Sequence, residues 1–127
     1  MEEEGTVAVW IGRCSSRESF EAVMEVSFSD DGDFLGSSFS REVGVEYFDS
    51  GLLEAGALDV PCSTLEELLG GISYEEQVLP QLKGTASAPP WNCFVLLYSY
   101  RIDGSPKFSA AGVDLEFVGN ATYELTS

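Results

Sequence analysis

Hydrophobic and polar positions divide this chain into strand-like ends and a helix-rich middle. Thr6–Gly12 (TVAVWIG) is β-branched and aromatic between glycines, the pattern of a strand. Ser15 with Glu18 has the spacing of a capping box, in which hydroxyl and carboxylate each bond a free backbone N–H. Phe20, Val23 and Met24 supply the apolar stripe of the helix that follows. SFSDDGDFLGSS is punctuated by Asp-Gly and Gly-Ser and reads as a loop. A short helix is predicted from Ser38 to Val43, stopped by Gly44. Val45–Asp49 leaves a short strand and an irregular exposed stretch both open, and Leu52–Leu58 is ambiguous.

Ser63 with Glu66 repeats the capping-box spacing, with Leu65, Leu68 and Leu69 on one side and Gly70-Gly71 as the stop. Ser73 with Glu76 opens a further helix bearing Val78, Leu79 and Leu82, which Pro80 kinks or shortens. Residues 85–90 (TASAPP) form a linker. Beyond it, Trp91–Ile102 predicts a central strand buried on both sides. Asp103-Gly104 marks a turn, and Lys107–Ala110 supplies a partner for the Trp91 strand. Val113–Val118 alternates, with Val113, Leu115 and Phe117 inward, and Gly119-Asn120 turns the chain into residues 121–125. This order predicts one α+β domain over 1–127. Its expected form is a single mixed, mainly antiparallel sheet with short helices packed on one face. A helical crossover would set the first strand parallel to the Trp91 strand.

Charge changes the picture most. Twenty-two acidic residues face six basic ones, a net charge of −16. From Glu18 to Glu76 there are fifteen carboxylates and one base, Arg41, whereas the stretch after Gly84 is nearly balanced. A field of this sign repels nucleic acid and anionic membranes and attracts basic proteins. Three cysteines without a CxxC pair (Cys14, Cys62, Cys93) and no signal-peptide pattern lead us to expect reduced thiols in the cytoplasm. Cys14, beside Arg13 and Arg17 and just before a helix, is the one thiol expected to favour its thiolate.

Catalysis finds little support. The chain has no histidine, so the commonest general base and metal ligand is missing. No phosphate-cradling glycine loop or nucleophile elbow occurs, and the EF-hand template fails: with Gly32 at its sixth position, serines occupy positions one, three and twelve. No catalytic residue, metal site or cofactor is expected. A carboxylate-based enzyme would need a pocket holding two carboxylates with separated pKa values. Acids interleaved with aromatics in the middle of the chain instead suit a surface that docks a basic protein. The candidate contacts are Asp30, Asp31, Asp33, Glu42, Glu46, Tyr47, Asp49 and Glu54.

The linear order of several short segments also resembles a known family. These are Val9-Trp10-Ile11-Gly12, the Ser-Asp-Asp-Gly-Asp loop, Gly44–Asp49, Ser63–Gly70 with Ile72-Ser73-Tyr74, Leu97-Tyr98, and Val113–Gly119. Together they cover nearly the whole chain and resemble the immunity protein 22 family of bacterial polymorphic toxin systems. The resemblance implies a cytosolic antidote that binds and blocks a cognate toxin; it assigns no binding residues. The composition fits a basic, nuclease-type toxin, and equally an acidic regulator that inhibits a nucleic-acid-binding protein by charge mimicry.

Overall fold

The computed structural model describes residues 2–84 and 88–124. Residues 85–87 of the expected linker and the end of the expected last strand lie outside the described residues. The N-terminal strand outruns its hydrophobic run: β1 spans Glu2–Cys14. It lies at the centre of a five-stranded sheet with β4 (Leu53–Cys62), β5 (Trp91–Tyr100), β6 (Phe108–Ala110) and β7 (Val113–Thr122), in the order β4-β5-β1-β7-β6. A separate hairpin pairs β2 (Ser27–Phe28) with β3 (Phe34–Gly36).

Strand periodicity gives the sheet two buried surfaces. Ala8, Trp10 and Cys14 of β1 point to one side, and Val7, Val9 and Ile11 to the other. Helices α1 (Arg17–Met24) and α2 (Ser38–Glu42) cover the first side through Phe20, Val23 and Phe39. Trp10 is fully buried there, 5.0 Å edge-on to Phe39, and its indole N–H donates to the Pro106 carbonyl at 2.9 Å. Helices α3 (Leu65–Leu69) and α4 (Glu75–Leu82) cover the second side with Leu68, Leu69, Val78 and Leu82.

The α+β class and the antiparallel sheet stand as expected, with two changes. Every pairing is antiparallel, β1 with β5 included, so the sheet is not mixed. The helices pack on both faces, not one. Both differences trace to β4, which takes up most of the ambiguous Leu52–Leu58 stretch. It adds a strand between the two helix pairs, so the chain crosses the sheet once more and deposits one pair on each side.

Further along, Lys107–Ala110 does not partner the Trp91 strand; β6 pairs with β7. Gly119-Asn120 is no turn either. The register moves from Trp10 opposite Phe117 to Val9 opposite Gly119, a bulge that β7 passes through. The Asn120 side chain then bonds both the N–H and the carbonyl of Ile102, continuing the ladder where main chain is lacking.

Helix caps fall one residue later than their spacing suggested. Ser15 N–H is still paired with the Gly112 carbonyl, so Ser16 caps α1 by accepting from Ser19 N–H at 3.0 Å. Thr64, not Ser63, caps α3 through Glu67 N–H. All three thiols are buried, and burial pushes those of Cys62 and Cys93 up. Cys14 faces the core beside Cys93, while Arg13 binds the Pro90 and Ala88 carbonyls and Arg17 pairs with Asp59. The two arginines expected beside the Cys14 thiol are thus turned to other partners.

Candidate partner-binding surface

The segment SDDGD folds into the tip of the β2–β3 hairpin. Gly32, in the left-handed region at φ 88°, donates to the Ser29 carbonyl at 2.9 Å, and Ser29 N–H closes onto Asp33. Asp30, Asp31 and Asp33 are thereby held out in solvent. An isolated two-stranded hairpin is marginal in water, so something must brace it. The brace is Phe34, whose ring meets Phe28 at 6.0 Å, Tyr47 at 5.0 Å and Phe48 at 5.4 Å, all edge-on.

Beyond α2, Gly44 takes the left-handed conformation and Val45 N–H donates to the Ser40 carbonyl at 2.8 Å. Val45 and Phe48 then turn inward and are buried, which forces Glu46, Tyr47 and Asp49 outward. The stretch left open between strand and irregular loop is thus irregular, anchored at two points. Asp49 also accepts from Gly51 N–H at 2.8 Å and starts the short turn Ser50–Leu52.

Hairpin and loop together enclose a shallow groove of about 430 Å³ lined by Phe28, Phe34, Tyr47, Phe48, Asp33 and Asp49. Phe28 is 62% exposed and Tyr47 58%, high for rings of this size. Asp30 and Asp31 sit beside this groove at the hairpin tip, and Glu42 closes α2. Glu46 lies toward Tyr100, whose hydroxyl is pushed up mainly by burial and further by the Glu2 and Glu46 carboxylates. Among the described residues none of Asp30, Asp31, Asp33, Glu42, Glu46 or Asp49 forms an ion pair. The one base of the region, Arg41, donates to the Leu35 carbonyl at 2.9 Å.

Glu54 is not brought to this surface. It points to the opposite side of the sheet, where its carboxylate accepts from Ser73 N–H at 3.0 Å and from Ser73 Oγ at 3.3 Å. The Tyr98 hydroxyl lies 2.8 Å from both Glu54 Oε1 and the Ser73 carbonyl. Burial, reinforced by Glu54, pushes that hydroxyl far above its usual range. Ser73 is therefore diverted from capping α4, whose first turn is entered through Tyr74 at φ 58° without a side-chain cap. Replacing Glu54 with Ala strands these donors and should lower stability by about 2 kcal/mol in chemical denaturation. The same variant should leave partner binding unchanged.

The acids as a whole are spread more widely than their order suggested. Glu18 and Glu21 lie on α1 and Glu25 caps its end, on the side of the sheet that carries the hairpin, but Glu66, Glu67, Glu75 and Glu76 ride on α3 and α4 across the sheet. Sequence reasoning missed Phe28 and the groove. The available signal was the placement of Phe28 and Phe34 on either side of SDDGD, an aromatic pair flanking a glycine turn. Among the described residues no three His, Cys, Asp or Glu side chains converge as metal ligands, and no helix is long and apolar enough to cross a membrane.

These features define a class: an α+β protein with a hairpin groove lined by carboxylates and exposed aromatic rings. The family described as Immunity protein 22 matches residues 7–124, and the chain belongs to that family. No curated protein and no solved structure matches it. Membership supports an immunity role, with a toxin as the partner.

Proposed function

We propose that this chain neutralises a cognate toxin of a bacterial polymorphic toxin system by covering a basic surface on it, as a stoichiometric inhibitor in the cytoplasm. The toxin is a nuclease-type domain. The observation that carries the reading is that Asp33 and Asp49 line one groove with the exposed rings of Phe28 and Tyr47, and that these two, with Asp30, Asp31, Glu42 and Glu46, are exposed carboxylates without an ion pair among the described residues. An enzyme that cuts nucleic acid must hold phosphates and so carries a cationic cleft. Fixed carboxylates present the same sign of charge as those phosphates. The rings add apolar area that is desolvated on contact, and the net charge speeds encounter.

The test is to mix the purified chain with the toxin domain encoded by the adjacent reading frame. A one-to-one complex is expected, with an association rate that falls about tenfold or more from low to high salt. No complex, or a complex insensitive to salt, counts against the reading. Recovery of a chromosomal DNA-binding protein instead would shift it to a regulator.

A further inference from the structure

We propose that the groove between the β2–β3 hairpin and the 44–52 loop is the seat of one arginine side chain of the toxin, an inference that rests on the immunity reading for the source of that arginine. The groove is built for a cation on an apolar stem. Its floor is Phe34 with the buried Phe48, its walls are the exposed rings of Phe28 and Tyr47, and Asp33 and Asp49 stand on its rim. Among the described residues neither carboxylate forms an ion pair, and Arg41 of the neighbouring α2 is directed to the Leu35 carbonyl. Two carboxylates therefore meet exposed aromatic rings in one concavity, and among the described residues no ion pair engages them.

Chemistry separates the possible occupants. An apolar side chain would be matched by the rings but would bring no charge to Asp33, or to Asp49 beyond its bond from Gly51 N–H. A lysine would satisfy the charge as a compact, strongly hydrated point. An arginine does both: its planar guanidinium stacks on an aromatic face, is weakly hydrated, and offers paired donors to a carboxylate. The seat also explains the exposure of Phe28 and Tyr47. They are walls completed when the partner fills the space between them.

The experiment uses the full chain and three short peptides, Gly-Ser-Xaa-Ser-Gly with blocked ends, in which Xaa is arginine, lysine or citrulline. Citrulline keeps the planar shape without the charge. Titrations are followed by NMR, reading the amides of Gly32, Asp33, Phe34 and Tyr47 and the aromatic resonances. The arginine peptide should bind on the order of millimolar, about threefold more tightly than lysine, with no binding of citrulline. Tyr47→Ala should weaken arginine binding about threefold and Asp33→Asn about tenfold, while Glu66→Gln, an equal charge change across the sheet, should have no effect. Equal binding of arginine and lysine, or shifts spread over α1, α3 and α4, would overturn the proposal. If the toxin binds fully to Tyr47→Ala and Asp33→Asn, the arginine seat fails and the immunity reading stands. If the wild-type chain binds no toxin, the immunity reading fails whatever the peptides do.

Discussion

Gly12→Ala should destabilise the protein by about 3 kcal/mol or more, the largest single-residue effect expected outside the aromatic core. Gly12 is buried in β1 opposite Leu115, where β1 and β7 approach closely. A Cβ there would overlap the Asp114 carbonyl oxygen and lie 2.8 Å from its carbonyl carbon and 2.9 Å from Leu115 Cα. All three are backbone atoms of a paired strand, so no rotamer change relieves the clash; β7 itself has to move. That movement would pull Val113 and Leu115 from the core around Trp10 and Phe39. Urea denaturation should show a lowered midpoint. A Gly12→Ala protein as stable as wild type would mean the two strands do not meet as described.

The second large effect concerns recognition. Replacing Asp33 and Glu46 together with lysine should weaken toxin binding about a hundredfold, because two attractive charges become repulsive at the contact. The pair is preferable to one including Asp49, whose carboxylate also starts the Ser50–Leu52 turn. The control is Asp114→Lys with Glu116→Lys, on β7, which changes net charge by the same amount away from the groove. It should cost no more than about fivefold, the share expected from long-range steering. Equal losses in calorimetry would show that net charge alone drives binding and that the groove has no special part. Thermal melts of both double variants check that they remain folded.

How far the sequence carried depended on which interactions decided each element. β1, β5 and the inward residues of β7 were legible because their burial is written as period two or as continuous apolar runs. β4 was not, because Leu53–Leu58 mixes Leu, Glu, Ala and Gly, and its extended form is set by pairing with β5. With β4 hidden, strand direction and the side of each helix pair could not come out right. The α4 cap misled for a related reason: Ser73 had the right spacing, but Glu54, nineteen residues away, claims it. At the candidate surface, Asp33, Tyr47 and Asp49 were found by composition and the fold does bring them together. Glu54 looked the same in composition, and only the alternation of β4 reveals that it faces the other way.

The hairpin tip has one more consequence. Asp30, Asp31 and Gly32 touch neither side of the main core; the brace that fixes the hairpin is Phe34, which lies behind them. The side chains of Asp30 and Asp31 can therefore be exchanged at little cost in folding free energy, while Gly32, held at φ 88°, Phe34 and Phe48 cannot. Under the immunity reading, a lineage whose toxin changes could follow it by altering the tip alone. Specificity would drift there while the sheet and its two helical layers stayed constant.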